Sequence, residues 1–180
     1  MSLYVHTHGQ GPDLVMLHGW AMHSGVFDGL LSTLTKNYRV HCIDLPGHGR
    51  SAYHHEMRSI QQLAASVEPY VPHNAMVLGW SLGGQVALQL AQCLPMGALV
   101  LVSTTPKFVA STDWSAGMAE EVFAQFFARL HENHLRTVQD FLSLQVRGDV
   151  QASETLSQLK ETLLQCPADI DALYEGLDIL

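Results

Sequence analysis

The sequence has no apolar run long enough to cross a membrane and no feature of a secretory leader. No stretch approaches the roughly 18 consecutive apolar residues of a membrane span. Residues 1–6 contain neither a basic nor an apolar leader region. Cysteine is scarce, and Cys42, Cys93 and Cys166 are odd in number and far apart. This usage favours reduced, mostly packed thiols over disulfides or a metal site, so we expect a cytoplasmic protein.

Basic residues are also few. The 180-residue chain has 9 Lys and Arg against 17 Asp and Glu, which gives a net charge of −8. Residues 1–110 carry five basic and five acidic side chains, whereas residues 111–180 carry four basic and twelve acidic ones. This balance offers no basic patch for nucleic acid or for an anionic membrane, so neither is expected as a partner. The apolar content of 47% is sufficient for one globular core.

Apolar runs that alternate with helical patterns predict an α/β fold in the first part of the chain. Five short apolar runs are expected to be strands, at residues 3–7, 14–17, 38–43, 75–78 and 98–102. The last four are almost continuously apolar, which is typical of parallel strands buried on both faces. Helical patterns lie between them at residues 27–34, 59–67 and 84–93. Strands alternating with helices indicate a sheet built with right-handed crossovers.

After residue 106 the pattern becomes helical. Apolar positions recur at helical spacing from about residue 115 to residue 177, with separate helices expected at 135–146, 153–165 and 168–176. Asp169 and Asp171 fit the first turn of the last helix, where the helix dipole favours negative charge. Phe123, Phe126 and Phe127 are expected to pack in the core. We therefore divide the chain into a core, residues 1–110, and a helical lid, residues 111–180.

The segment Gly79-Trp80-Ser81-Leu82-Gly83 is the most informative motif of the chain. In the pattern G-x-S-x-G, a serine sits on a tight strand-to-helix turn and points its hydroxyl into a cleft. The motif stands between a predicted strand and a predicted helix, where this turn belongs. Ser81 is therefore a candidate nucleophile, and the backbone N–H of Leu82 is a candidate donor to an oxyanion. The alternative is that Ser81 is an ordinary helix N-cap.

Two further loops follow predicted strands. His18-Gly19-Trp20 comes directly after residues 14–17, so the backbone N–H of Trp20 is the candidate second oxyanion donor. His18 itself is expected to be structural, because it precedes the serine. Residues 44–51, with the sequence D-L-P-G-H-G-R-S, follow the third strand at the edge of the sheet where α/β proteins place their ligands.

These three motifs, in this order, resemble the α/β-hydrolase superfamily. The likeness extends over essentially the whole chain to the pimeloyl-acyl-carrier-protein methyl ester esterase family of biotin synthesis. It is carried by Trp20 after His18-Gly19, by Trp80 beside the serine, and by Arg136-Thr137-Val138 leading into Phe141-Leu142-Ser143-Leu144-Gln145. The resemblance implies an α/β-hydrolase fold, with a mostly parallel sheet, flanking helices and an α-helical lid.

The resemblance also implies a chemistry. A carboxylesterase of this family hydrolyses the methyl ester of a pimeloyl chain held on acyl carrier protein, through an acyl-enzyme and without a metal or cofactor. Ser81 would be the nucleophile, with an oxyanion hole formed by Trp20 and Leu82, and Arg136 would contact the carrier protein. The acyl pocket, an aromatic wall suited to an alkyl chain, would be lined by Trp20, Trp80, Phe141, Leu142, Ser143, Leu144 and Gln145.

The chain departs from the family in two respects. Where further lid arginines are expected, it has Asp140, Ser153 and Ser157. The superfamily also places the triad acid and histidine after the serine, yet the only later histidines are His131 and His134, both in helical patterns. No strand after residue 102 is predicted to carry the acid. A serine without a general base is a weak nucleophile, so we expect the C-terminal strands to be missing and activity to be impaired.

Other interpretations stay open at this stage. The same nucleophile would serve a thioesterase or a lactonase, and a chain without the triad could be a non-catalytic protein that binds acyl groups or a partner. A metal site is disfavoured, because no Cys or carboxylate completes a pattern with His6 and His8 or with His54 and His55. The fifth strand would be an exposed apolar edge unless the acidic helices or a second chain cover it.

Overall fold

The computed structural model describes residues 2–54 and 57–180. Its centre is a five-stranded sheet with the strand order β1-β3-β2-β4-β5. β1 pairs antiparallel with β3, and all other neighbouring strands are parallel, so the predicted mostly parallel sheet is confirmed. The strands are β1 Val5–His8, β2 Asp13–Leu17, β3 Arg39–Ile43, β4 Met76–Trp80 and β5 Ala98–Val102.

The helices lie close to their predicted positions. Those of the first part are α1 Asp28–Leu34, α2 Ile60–Val67 and α3 Leu82–Leu90, with short 3₁₀ turns at Ser24–Phe27 and Glu68–Tyr70. The later helices, which we call the helical segment, are α4 Glu120–Glu132, α5 His134–Gln145, α6 Ala152–Gln165 and α7 Ile170–Ile179. As predicted, Asp171 lies in the first turn of α7, and Asp169 caps it by accepting a hydrogen bond from the Asp171 N–H.

Several element boundaries differ from the prediction, and three of them have a clear local reason. β1 starts later than residue 3, because the N–H groups of Leu3 and Tyr4 donate to side-chain hydroxyls at 2.9 and 2.8 Å rather than to a strand. β4 runs past residue 78 because Gly79 and Trp80 still pair with β5. α7 continues through Gly176, which packs against the indole of Trp20 and therefore marks a close approach rather than a helix end.

Burial alternates along the strands between two apolar clusters. In β2, Val15 and Leu17 belong to the large cluster under α2, α3 and the helical segment, whereas Leu14 and Met16 belong to the smaller cluster that includes Phe27 before α1. All four of these β2 side chains are at most 3% exposed. Helices therefore cover both faces of the central strands, which explains why their sequences read as continuous apolar runs.

The helical segment is fastened to the loops that follow β2 and β3. His23 Nε2 lies 2.7 Å from the Thr162 carbonyl oxygen, and the Cys166 thiol donates to the Gly49 carbonyl oxygen at 2.9 Å. The Asp169 N–H donates to the Gly47 carbonyl oxygen at 2.7 Å. These bonds hold α6 and α7 over the carboxyl ends of the parallel strands, where a ligand site is expected.

β5 forms one border of the sheet. It pairs with β4, and within residues 2–54 and 57–180 no other strand pairs with it, so Val100, Leu101 and Val102 stay 39%, 42% and 40% exposed.

None of the helices in the described part of the chain has the length and apolar character of a membrane span. The three cysteines are free, but the expectation of packed thiols is wrong for Cys93, which is exposed.

Candidate active site

Ser81 occupies a strained turn between β4 and α3. Its backbone has φ 54° and ψ −117°, a conformation that L-residues rarely adopt. The Ser81 N–H donates to the Val102 carbonyl oxygen at 3.0 Å, and Thr104 Oγ1 donates to the Ser81 carbonyl oxygen at 2.7 Å. The Ser81 side chain makes no capping hydrogen bond to α3, so the interpretation of Ser81 as an ordinary N-cap is wrong.

The glycines beside Ser81 are required by close approach of backbones. A Cβ at Gly79 would overlap the carbonyl oxygen of Gly83, and a Cβ at Gly83 would overlap the carbonyl oxygen of Leu17. The first turn of α3 therefore lies directly against the end of β2. This contact brings the strand-to-helix turn and the loop after β2 to one point.

The loop after β2 lies beside the candidate nucleophile. A Cβ at Gly19 would lie 3.3 Å from Ser81 Cβ. Among the hydrogen bonds of the described residues, none uses the backbone N–H of Trp20 or of Leu82 as its donor. Both amides are therefore available to an acceptor near Ser81, and the Leu82 amide also stands at the positive end of the α3 dipole.

His18 holds this loop as a neutral, structural side chain, in agreement with the prediction. Its Nε2 accepts the Leu45 N–H at 2.9 Å, so the ring proton sits on Nδ1, which faces the Gly19 carbonyl oxygen at 2.9 Å. Burial, reinforced by the neighbouring His48, lowers the pKa of His18 to about 3. His18 therefore connects the loop after β2 with the loop after β3.

The loop after β3 is organised around a buried carboxylate. Asp44 accepts hydrogen bonds from the backbone N–H groups of Ser24 at 2.7 Å and Arg50 at 2.9 Å, and the Ser51 hydroxyl donates to its carbonyl oxygen at 2.6 Å. Burial raises the pKa of Asp44, but hydrogen bonds from Arg50 and Ser24 outweigh it and lower the pKa below its ordinary value. Asp44 is thus a positioned anion that fixes residues 44–51.

The side chain of Trp20 joins the loop after β2 to the helical segment. Its indole N–H donates to the Leu173 carbonyl oxygen in α7 at 2.9 Å. Its ring meets Phe141 and Phe126 edge to face, with centroid distances of 5.3 and 5.6 Å. The predicted pair Trp20 and Phe141 is therefore in contact, and Phe126 completes an aromatic wall.

A cavity of about 740 Å³ lies between the sheet, the turn before α1, and α5 and α6. Trp80 and Gln145 line it, together with Ser103 and with Val102, whose carbonyl oxygen accepts the Ser81 N–H. The other predicted residues of the α5 stretch lie elsewhere in the described structure. Leu142 is fully buried in the main core, Leu144 is 54% exposed, and the exposed Ser143 hydroxyl donates to the Gln139 carbonyl oxygen.

A family model described as the alpha/beta hydrolase family matches residues 14–175, which is most of the chain. The chain belongs to the alpha/beta hydrolase family. The hydrolase is 42% identical over 182 residues to the pimeloyl-[acyl-carrier protein] methyl ester esterase of Nitrosomonas europaea, covering 99% of this chain and 72% of that protein. The protein of the same name from Aeromonas hydrophila is 41% identical over 184 residues, covering 100% of this chain and 72% of its own length.

Solved structures show the same fold for the hydrolase. An esterase from Exiguobacterium antarcticum superposes with a TM-score of 0.79 at 19% identity, covering 97% of this chain and 68% of that one. An enol-lactonase from Burkholderia xenovorans also has a TM-score of 0.79, at 17% identity, covering 98% of this chain and 68% of that one. At this identity the likeness concerns the fold, which confirms the predicted α/β-hydrolase architecture.

Of the two histidines in the helical segment, His131 packs against aromatic side chains of that segment. The His131 ring stacks on Tyr174 at a centroid distance of 4.2 Å and meets Phe127 at 4.9 Å. Within residues 2–54 and 57–180 of the hydrolase, no histidine or carboxylate is hydrogen-bonded to the Ser81 hydroxyl. The same residues contain no group of three His, Cys, Asp or Glu that could hold a metal ion, and His55 of the predicted histidine pair lies outside them.

Sequence reasoning missed the contributions of Phe126 and Leu173 to the surroundings of Trp20. Phe126 packs against the core as predicted, but its helical spacing gives no indication that it meets an aromatic side chain more than a hundred residues earlier. Leu173 acts through its carbonyl oxygen, which carries no signal in the sequence. Arg136, the predicted carrier contact, forms an exposed ion pair with Asp140 at 3.0 Å in this hydrolase.

Proposed function

We propose that the hydrolase is a cytoplasmic serine carboxylesterase that hydrolyses the methyl ester of pimeloyl-acyl carrier protein in biotin synthesis. The assignment of the substrate rests on one observation: the pimeloyl-[acyl-carrier protein] methyl ester esterases of Nitrosomonas europaea and Aeromonas hydrophila are 42% and 41% identical to the chain over 99% and 100% of its length. The strained turn at Ser81 and the aromatic contact between Trp20 and Phe141 support the assignment of the site.

Ser81 Oγ attacks the ester carbonyl carbon, and the carbonyl oxygen becomes an oxyanion. The backbone N–H groups of Trp20 and Leu82 donate to this oxyanion, and the α3 dipole adds to its stabilisation. Collapse of the intermediate breaks the bond to the methoxy oxygen, and the proton lost by the Ser81 hydroxyl is taken up by this leaving group, which departs as methanol. Water then hydrolyses the acyl-enzyme to the free acid and restores the Ser81 hydroxyl. No base among the described residues is hydrogen-bonded to Ser81. We therefore expect ester hydrolysis to be slow when only these residues take part in it.

The acyl chain is held mainly by apolar burial. Trp80 and Gln145 line the 740 Å³ cavity, whereas Trp20, which is 2% exposed, and Phe141 do not line it and pack against each other as a rigid aromatic pair. Each buried methylene contributes about 0.8 kcal/mol, so a medium-length chain gains a few kcal/mol without any charged partner. We assign Leu142, Ser143 and Leu144 to the supporting stretch of α5 around these residues.

The carrier protein would dock on the helical segment through Arg136. The ion pair with Asp140 competes for this guanidinium, and the segment carries the acidic surplus of the chain. Docking of an acidic partner is therefore expected to be weaker than a free arginine would give. The remaining basic residues that could contribute are Arg129, Arg147 and Lys160.

A fluorophosphonate probe tests the nucleophile without requiring turnover. We expect covalent labelling of Ser81, detected by intact mass and peptide mapping, and no labelling of the Ser81→Ala variant. Ser157→Ala is the matched control, because Ser157 is an exposed serine in α6 outside the proposed acyl pocket, and it should label as the parent does. Equal labelling of Ser81→Ala would overturn the assignment. A panel of methyl ester, thioester and lactone substrates then tests the reaction class, and preference for either of the last two would overturn the ester specificity.

A further inference from the structure

A second, much smaller cavity lies between the loop after β3 and α7. Its volume is about 20 Å³, and an internal site needs roughly 10–15 Å³ to hold one water molecule. It lies behind Leu82, whose backbone N–H is one of the two proposed oxyanion donors. The side chains and backbone that enclose it belong to Pro46, His48, Tyr53, Met57, Leu63, Leu82, Ala172, Glu175, Gly176 and Ile179.

His48 presents a hydrogen-bond acceptor to this cavity. Its Nδ1 lies 2.9 Å from the Pro46 carbonyl oxygen, and because a carbonyl only accepts, Nδ1 must carry the proton. Burial lowers the pKa of His48, which keeps the ring neutral and leaves a lone pair on Nε2. Nε2 is buried and has no hydrogen-bond partner among the described residues.

Glu175 presents a second acceptor. Its Oε1 faces Arg58 Nε at 3.9 Å, whereas Oε2 is buried and, in the described part of the chain, has no hydrogen-bond partner. Burial and a side-chain hydrogen bond with Glu175 raise the pKa of Tyr53 to about 12, so the neutral Tyr53 hydroxyl stands beside this carboxylate while Oε2 is left without a donor in the described part of the chain. A lone pair on His48 and a carboxylate oxygen of Glu175 cannot bond to each other, since neither has a proton to donate.

We propose that this cavity binds one ordered water molecule, which donates one hydrogen bond to His48 Nε2 and the other to Glu175 Oε2. Only a species with two donors satisfies two acceptors, and the volume admits nothing larger than water. The water joins the loop after β3 to α7 and closes the space behind Leu82. This water site is structural, and the proposal does not depend on the proposed esterase function.

The first test observes the unmodified chain. A crystal structure that resolves ordered solvent should show one water between His48 and Glu175, and ¹⁵N NMR should show His48 protonated at Nδ1 alone near neutral pH. Three results would each overturn the proposal. They are a protonated His48 Nε2 that donates directly to Glu175, a Tyr53 hydroxyl that donates to Oε2, and a cavity that shows no density for water.

The second test is a double-mutant cycle read by urea unfolding. His48→Phe and Glu175→Leu should each lower the urea concentration at the unfolding midpoint. Each substitution removes one of the two acceptors, so the water loses one hydrogen bond. The double variant should lose clearly less than the sum of the two shifts, since neither acceptor then remains. His73→Phe combined with Glu175→Leu is the matched control, because His73 is exposed, and it should be additive. Additive shifts for the His48 pair would overturn the bridge.

Discussion

The backbone at Ser81 stores strain that two substitutions can measure. Its φ of 54° and ψ of −117° cost an L-residue on the order of 1–3 kcal/mol, whereas glycine adopts them freely. Ser81→Ala and Ser81→Gly both remove the hydroxyl, so the difference between them isolates the backbone. Glycine adds about 0.4–1 kcal/mol of unfolded-state entropy, which opposes the gain. We therefore expect Ser81→Gly to be about 1–2 kcal/mol more stable than Ser81→Ala.

Urea unfolding at neutral pH measures this difference, and thermal melting should give a higher Tm for Ser81→Gly by about 2–4 °C per kcal/mol. Ser66 supplies the control, because it lies inside α2 and both substitutions remove its hydroxyl, which donates to the Leu63 carbonyl oxygen. There the order should reverse, with Ser66→Gly about 1 kcal/mol less stable than Ser66→Ala. If Gly were the less stable substitution at both positions, the strain at Ser81 would not exist.

Two further predictions concern groups that surround this turn. A Cβ at Gly176 would lie 2.8 Å from Trp20 Cδ1. Gly176→Ala should therefore lower the free energy of unfolding by about 1–2 kcal/mol, even though alanine has the higher helix propensity. Gly29→Ala, with open space at its Cβ, should stabilise by about 0.5–1 kcal/mol, and equal urea midpoints for the two variants would refute the contact. The second prediction concerns acid. Because burial lowers the pKa of His18 below its value of 6.5 in the unfolded chain, its contribution to stability is present above that pH and lost as the pH falls. His18→Asn should remove up to about 1.4 kcal/mol per pH unit from the slope of unfolding free energy between about pH 6 and pH 4. An unchanged slope would contradict a buried neutral His18.

The sheet was predictable because its central strands are buried on both faces and because β5, although exposed, is continuously apolar. The apolar run at Ala98–Val102 gave the observed bounds of β5, and the run at residues 14–17 missed β2 by one residue. The start of β1 was not predictable, because the N–H groups of Leu3 and Tyr4 bond to hydroxyls that are distant in sequence. Local pattern determines which residues are apolar, whereas such bonds depend on the completed tertiary structure.

The candidate site was also predictable only in part. The loop at Gly19 and the turn at Ser81 were found because each directly follows a strand, and parallel strands bring their carboxyl ends together. The contacts of Trp20 with Phe126 and with the Leu173 carbonyl were not found, because helical spacing defines a face without defining its partner. Backbone acceptors leave no trace in side-chain patterns.

The bond from the Trp20 indole to Leu173 joins residues 153 positions apart. During synthesis α7 is therefore made long after β2, and the indole N–H lacks this acceptor until α7 has docked. Contacts of such long sequence separation form slowly, since loop closure must precede them. Burial of Trp20 is thus expected to be among the last events of folding, and its fluorescence to report a slow phase. A chain caught before that phase exposes an aromatic wall, which makes the nascent protein a natural client for chaperones.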